Sequence, residues 1–511
     1  MFCLGIKQIN KNKKKNNIRI TEDDKNMLEN SKKVENNDIK GKKISNESKA
    51  GKTKSRRSTS SQDMLHGGLA GKMILFALPL ALSSILQQLF NSADVAVVGR
   101  FAGDDALAAV GANVANVGIF VNLIVGSSAG PNVIVANLIG QDNKKEAEKA
   151  VHTTIMMAII GGLLLSCIGL IISGPMLVLT NTPKEVMDMA KLYLRIYLFG
   201  IPFIMLFNFG AAIIRSKGDT KHPLYIMIAS GITNVILNLI FVIGCKMDVA
   251  GVALATLISN VLAAFLIIVL LVKDDDFLHL DFKKLHIDKM YLGKIIKVGL
   301  PAGLQCMVFS LSNIFIQSGI NNLGKDTVAA SSVALNFEYF TYDISSAFAQ
   351  TTVTYTSQNF GAGNYKRCIK IYRIAMAEGM IFTALLSIIF TIWARPLAGL
   401  YTTKEAVIDI ALIRMFHVMS LEALTATYEV SAAALRSIGY QIVPSLLTVF
   451  GTVGFRIIWM YTVFKKSHTF ETLMNVYPAS WIFTGIMVVS AYLLLWKKKR
   501  AAVSVREASE D

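Results

Sequence analysis

Charged residues are scarce in this chain of 511 residues: Asp, Glu, Lys and Arg make up 17% of it, against 53% hydrophobic residues. Soluble domains carry roughly 25% charged residues, so a water-borne globular fold is excluded for most of the length. Cysteine is sparse too, and Cys3, Cys167, Cys245, Cys306 and Cys368 stand at spacings that pair nowhere. That excludes a disulfide framework and a zinc ribbon. No catalytic His, Cys or Ser constellation and no metal-ligand spacing occurs, which argues against an enzyme. The string AGKTKS over 50–55 lacks the first glycine of a phosphate-binding loop, because Asn46 stands in its place. No compact apolar stretch precedes Met73, so no secretory signal is read there and the N-terminus is expected to stay in the cytoplasm.

The charge that is present is crowded at the ends. Residues 1–72 hold 18 Lys/Arg against 8 Asp/Glu, which is +10 of the net +17. This stretch is rich in Lys, Asn and Ser and poor in aromatics, and it cannot bury enough apolar surface to offset its ordering entropy. It is expected to be a disordered basic cytoplasmic tail, able to touch anionic lipid headgroups and with no fold that would bind nucleic acid.

Long apolar runs fill the rest. About 20 apolar residues cross the hydrocarbon core as a helix, and such runs lie near 73–98, 107–136, 151–173, 189–214, 223–245, 251–272, 294–319, 328–357, 369–393, 406–435, 441–464 and 476–496. Twelve spans with the N-terminus inside place fifteen Lys/Arg in the inner connections and eight in the outer ones. The positive-inside rule therefore favours cytoplasmic termini in a multi-pass protein of the cell membrane.

The chain also repeats itself. LPLALSSIL at 78–86 answers LPAGLQCMV at 300–308, GDDALAAV at 103–110 answers GKDTVAAS at 324–331, and Arg215 and Arg436 open matching turns. Pro79 and Pro301 are 222 residues apart, and Gly140 and Gly361 are 221 apart. Six spans per copy make the copies parallel, related by a pseudo-twofold along the membrane normal, with a cavity between them. The expected fold class is an all-α polytopic membrane protein of 12 transmembrane helices in two six-helix lobes. Its expected organisation is the tail at 1–72, an N-lobe at 73–272, an inter-lobe linker at 273–293, a C-lobe at 294–496 and a cytoplasmic tail at 497–511, with a monomer as the working unit.

Asp94 is the one acid within the first five spans apart from Asp188 near a span end. A charge at mid-membrane costs about 2.5–3.5 kcal/mol on insertion scales, so something is expected to bind it. Gln87, Asn91 and Asp94 share a helix face. Asp94, Asn238 and Thr256 lie five, six and five residues from the outer ends of their spans, which places all three about 8–9 Å deep. Asn234 is one turn below Asn238. One carboxylate, two amide oxygens and a hydroxyl at one level suit a proton or a small hard cation such as Na⁺, or the three neutral groups simply hold helices together. No other cofactor is implied. The offset from Asp94 lands on Phe315 or Ile316, so the copies are chemically unequal. The second copy has acids of its own, Glu338, Asp343, Glu378, Glu422 and Glu429, and Glu338 reads either as a substrate contact in the cavity or as a paired structural acid.

The segments QQLFNSADVAVVG at 87–99, RSKGDTKHP at 215–223, NVILNLIF at 234–241, GVALAT at 251–256 and QNFGAGNYKR at 358–367 resemble the multidrug and toxic compound extrusion family over roughly residues 72–496. The resemblance implies two V-shaped lobes and antiport of cationic, amphipathic drugs against inward H⁺ or Na⁺. It also implies that Pro79 is the hinge at which the first helix bends. The cation site of one branch resembles Asp…Asn-x-x-x-Asp…Thr, which maps onto Asp94, Asn234, Asn238 and Thr256 with an amide in place of the second acid. Another branch uses acids that would fall near Phe309 and Thr425, and neither position is acidic here. Coupling is therefore expected at Asp94, with Gln87, Asn91, Asn208 and Glu338 lining the cavity for organic cations. Two alternatives stay open: a flippase for a lipid-linked precursor, for which buried Arg195, Arg414 and Arg456 would be few, and a non-transporting receptor or scaffold working through the tail.

Overall fold

The computed structural model describes residues 62–180, 182–276 and 278–510. The expected disordered tail lies outside the described residues as far as residue 61. In the described residues the backbone is helical, with α1 over Ala70–Phe101, α2 over Asp104–Gly140, α3 over Lys144–Leu179, α4 over Lys184–Phe199, α5 over Ile201–Ser216, α6 over Lys221–Gly244 and α7 over Asp248–Val272. The second copy follows with α8 over Lys289–Asn321, α9 over Lys325–Gly361, α10 over Tyr365–Ile392, α11 over Ala394–Gly399, α12 over Glu405–Met419, α13 over Thr425–Ser437, α14 over Ile442–Ser467 and α15 over Phe470–Ala501. Helical backbone continues beyond α15 to Glu510, through the expected second tail.

The repeat is visible in the helix boundaries. Asp104, Lys144, Lys184 and Lys221 open helices whose counterparts open at Lys325, Tyr365, Glu405 and Ile442, each 221 residues later. The turns repeat as well: Gly103 and Gly324 have φ of 88° and 102°, and Gly218 and Gly439 have φ of 104° and 102°. Only glycine adopts that left-handed backbone without strain. A π-helical turn over Leu239–Gly244 has its counterpart over Met460–Phe464.

Nine helices among the described residues are long and apolar enough to cross a membrane, ten when α4 and α5, bent by 42° at Gly200, count as one span. The spans expected near 328–357 and 406–435 fall on α9 and on α12–α13, which do not pass that test. The reason in α9 is position. It packs against α1, α2, α10, α12 and α13, and its polar run Thr351, Thr352, Thr354, Thr356, Ser357, Gln358 and Asn359 is buried in protein. A helix screened from lipid by its neighbours does not need an apolar surface. Pro202 lies just after the bend at Gly200 and Pro131 just after the junction at Ser128. Pro79 and Pro301 sit inside continuous helices.

At one end the two copies touch backbone to backbone. A Cβ on Gly140 would lie 2.0 Å from the Gln358 carbonyl oxygen, and one on Gly361 would lie 2.1 Å from that of Asn137. Asn137 Nδ2 donates to the Ser357 carbonyl at 3.3 Å, and Gln358 Nε2 donates to the Ser216 carbonyl at 2.6 Å. Around this closed end the linker between α7 and α8 is fastened to the first copy. Lys144 pairs with Asp276, Lys217 with Asp274 and Lys284 with Glu148, and Tyr291 donates to Glu146 at 2.7 Å. Burial opposes the Glu146 charge, but the bonds from Lys149 and Tyr291 outweigh it and hold the carboxyl below its usual range.

Candidate coupling-cation and substrate site

Three helices of the first copy meet around Asp94. α1 can lie close on α6 because residue 231 is glycine: a Cβ there would fall 1.9 Å from the Phe90 ring. Phe90 thereby anchors the turn of α1 that carries Asn91 and Asp94. On α6, Ser230, Asn234 and Asn238 follow one another at intervals of four residues and line one face. α7 adds Thr256, and Ser259 and Asn260 a turn further on.

The side chains form one hydrogen-bonded cluster. Asn238 Nδ2 donates to Asp94 Oδ1 at 2.5 Å and to Asn234 Oδ1 at 3.3 Å. Asn234 Nδ2 donates to the Thr256 hydroxyl at 3.4 Å. That hydroxyl has a single proton, and it lies 3.0 Å from the Val252 carbonyl but 3.5 Å from Asp94 Oδ2, so the helix carbonyl takes most of it. Asp94 Oδ2 is left with only a weak donor. Asn238 Oδ1 is buried with no partner among the described residues. A buried acceptor without a donor costs about 1–3 kcal/mol, and here it adjoins a carboxylate oxygen that also has accepting capacity. Those two oxygens, with Asn234 and Thr256 beside them, fit a proton or a hard monocation. No group of three or more His, Cys, Asp or Glu side chains gathers for a metal among the described residues.

Asp94, Asn234 and Thr256 of the cluster line a cavity of about 100 Å³ together with Gln87, Asn91 and Asn208, and Asn238 is not among its lining residues. Pockets that take drug-sized ligands measure about 300–1,000 Å³. In this conformation the cavity has room for an ion and a few waters. Its walls include residues that the sequence reading missed, among them Phe90, Tyr197, Phe207, Ser230, Ser259 and Asn260. The spacing of Ser230 from Asn234, and of Ser259 and Asn260 from Thr256, was a readable signal. Tyr197 carried none, since the bend at Gly200 sets its direction.

Glu338 is not brought to this cavity. It lies in the second copy, 6% exposed, held through both oxygens by the Arg414 guanidinium at 2.5 and 2.8 Å. Arg414 also donates to Ser331 and lies over the Tyr477 ring. A carboxylate engaged in a fork of this kind is committed to its partner. Glu422 is bonded by Thr341, and Glu429 by Tyr342 at 3.1 Å. Pro79 is buried fifteen residues before Asp94, about 22 Å along the helix, with its carbonyl bonded by Ser83 Oγ at 2.8 Å.

Comparison with known proteins agrees with the repeat. The MatE family profile matches twice, over residues 79–240 and 301–462. Among curated relatives, the probable multidrug resistance protein YoeA of Bacillus subtilis is 26% identical over 439 residues, covering 84% of this chain and 94% of its own. The probable multidrug resistance protein NorM of Thermotoga maritima is 23% identical over 74% of this chain and 82% of its own. Among solved structures, an outward-facing multidrug resistance MATE family transporter of the MOP superfamily superposes with a TM-score of 0.78 at 22% identity, over 88% of this chain and 99% of that one. A MATE protein in complex with MaL6 gives 0.79 at 22% identity, over 88% and 100%. Two family matches in register on the two copies, in a chain of membrane-crossing helices, place it among transporters rather than enzymes: the chain belongs to the MatE family.

Proposed function

We propose that this protein is a secondary active antiporter that exports cationic or amphipathic drugs and toxic compounds in exchange for inward H⁺ or Na⁺, with Asp94 as the coupling carboxylate. The observation that carries the reading is the Asp94 cluster, where one membrane-embedded carboxylate lines a cavity and stands beside a buried amide oxygen that has no partner among the described residues. The names of the relatives support drugs as the exported class. In this reading α9 and α12–α13 also cross the bilayer, giving twelve crossings in two six-helix lobes. Both termini and the linker after α7 lie in the cytoplasm of a cell whose plasma membrane holds the protein as a monomer.

The chemistry follows from competition. An uncompensated charge on Asp94 is costly in the membrane, so the site is stable when it holds a proton, a hard cation or an organic cation. The cavity is too small for a drug and an occupied ion site together. Drug entry widens it by moving α1 against α6 and α7, and it displaces the coupling ion. Pro79 is the hinge of that movement, since the carbonyl four residues before it lacks its helical donor. Transport needs ion and drug to favour opposite conformations, because a ligand with equal affinity for both shifts nothing.

The test is dye efflux in proteoliposomes with imposed pH or Na⁺ gradients. Asp94→Asn keeps the shape and the Asn238 contact but can neither hold a proton nor neutralise a cation. Uphill efflux should vanish with the protein still inserted, and efflux at the parent rate would refute the assignment.

A further inference from the structure

The described chain starts before α1, and residues Gln62–Leu69 do not hang free. Met64 is 1% exposed and belongs to the apolar cluster with Phe76, Tyr355, Phe360 and Cys368. Asp63 Oδ1 accepts the backbone N–H groups of Leu65 and His66 at 3.0 and 3.2 Å and fixes a turn. This turns a series of backbone carbonyls toward two cations. Arg367, in the first turn of α10, donates to the carbonyls of Met64 at 3.2 Å, Gly67 at 3.0 Å and His66 at 3.2 Å. Asn359 Nδ2 donates to the Met64 carbonyl at 3.2 Å, and Lys72 Nζ donates to those of Asp63 and His66 at 2.7 and 2.9 Å.

The segment touches both copies. Tyr355 of α9 donates to Gln62 Oε1 at 2.9 Å. On the other side the Gln62 N–H reaches the Gly218 carbonyl at 3.4 Å, and a Cβ on Gly218 would fall 2.7 Å from the Gln62 carbonyl oxygen. Gly218 follows α5 in the first copy, whereas Tyr355, Asn359 and Arg367 belong to the second. The same end is where Gly140 meets Gln358 and Gln358 bonds Ser216. A chain segment clasped by both copies there must let go of one when that end opens.

We propose that the crevice walled by Gly218, Tyr355, Asn359 and Arg367 is a docking site for the chain's own residues 62–67, and that its occupancy latches this end of the transporter shut. Recognition is of peptide carbonyls rather than side chains, with Arg367 as the clasp and Met64 as the apolar anchor. The latch rests on the alternating-access reading above only in that the closed end is taken to open during transport. It makes the segment joining the basic tail to α1 a determinant of the conformational equilibrium.

The test uses the full chain with its five native cysteines replaced. A reporter cysteine at Ser357, 0% exposed in the closed end, is compared with a control at Ser173, 1% exposed within α3. Labelling uses a membrane-permeant maleimide, so sidedness does not enter. Arg367→Gln removes the charged fork and should speed labelling at position 357 about tenfold. Tyr355→Phe keeps the ring against Phe76 and loses only the hydroxyl, and it should give about twofold to threefold. Labelling at position 173 should stay at the parent rate in both. Unchanged labelling at 357 in both variants overturns the latch, and so does a parallel rise at 357 and 173, which would mean a generally loosened fold. Labelling is read without drug or gradient, so failure here leaves the antiport reading standing, and failed efflux leaves the latch standing.

Discussion

Replacing Asn238 by Asp tests the coupling site by adding charge where the structure shows an amide. Asn238 Nδ2 lies 2.5 Å from Asp94 Oδ1, so the substitution faces carboxylate oxygen with carboxylate oxygen. Two such charges about 4 Å apart repel by about 4 kcal/mol at an effective dielectric constant of 20. A bound cation between them removes that repulsion and is attracted by both. In the natural protein a single carboxylate with neutral oxygens must offset the dehydration of Na⁺, so proton coupling is expected to dominate. If a third of the relieved repulsion appears as affinity, about 1.4 kcal/mol, Asn238→Asp should lower the Na⁺ concentration for half-maximal efflux about tenfold. Efflux of a cationic dye from proteoliposomes, mapped across pH and Na⁺ concentration separately, reads this directly. Natural protein that requires Na⁺ and ignores a pH gradient would refute the reasoning. So would a variant whose two dependences match the parent.

A cysteine placed at Lys366 should be shielded from an impermeant thiol reagent in whole cells while one at Lys325 reacts, in a cysteine-free background; the opposite pattern would reverse the orientation. Exchange of one proton for one monovalent organic cation at Asp94 should be electroneutral, so an imposed membrane potential should leave efflux at its parent rate, and a strong voltage response would rule out one-for-one exchange at a single carboxylate. Glu338→Gln leaves the Arg414 guanidinium buried and unpaired and should destabilise the protein by about 3–5 kcal/mol, read as a lowered melting temperature in detergent. Glu338→Gln with Arg414→Met should recover most of that loss. Pro79→Ala restores the missing helical donor in α1 and should slow efflux without changing insertion, and unchanged turnover would remove Pro79 from the mechanism.

Lipid made most of the fold legible. Where a helix faces hydrocarbon its residues must be apolar, and α1, α3, α6, α7 and α10 declare themselves by hydropathy alone. α9 shows where that logic stops. Its Glu338 and its threonine-rich end are buried in protein, so composition no longer reports membrane depth. The site was readable to the extent that depth along a straight helix can be counted. Asp94, Asn234, Asn238 and Thr256 came out near one level by counting residues from the span ends, and their side chains form one hydrogen-bonded cluster. Tyr197 and Glu338 could not be placed this way. A bent helix carries the first, and the second found a buried partner in Arg414, 76 residues away. The docked segment at 62–67 left no pattern at all, since backbone carbonyls are the same in every sequence.

The two copies differ in how their buried carboxylates are held. In the first copy, among the described residues, Asp94 has no cationic partner and Asn238 Oδ1 has no partner, and a cavity opens beside Asp94. In the second copy Arg414 grips Glu338, Thr341 bonds Glu422, and the Arg436 guanidinium bonds Gln305 at 2.6 Å. A carboxylate already committed to an arginine gains little from an arriving cation, whereas one held by neutral donors gains the full attraction. In the proposed antiport the duplicated frame rocks while the Asp94 cluster exchanges charge. In the same proposal the second half supplies α9, against which α1 and α2 would part and close, and the Glu338–Arg414 pair ties α9 to α12. A single exchangeable charge on one side of a two-sided frame is enough to bias which end opens, provided that ion and drug each fit one of the two arrangements better.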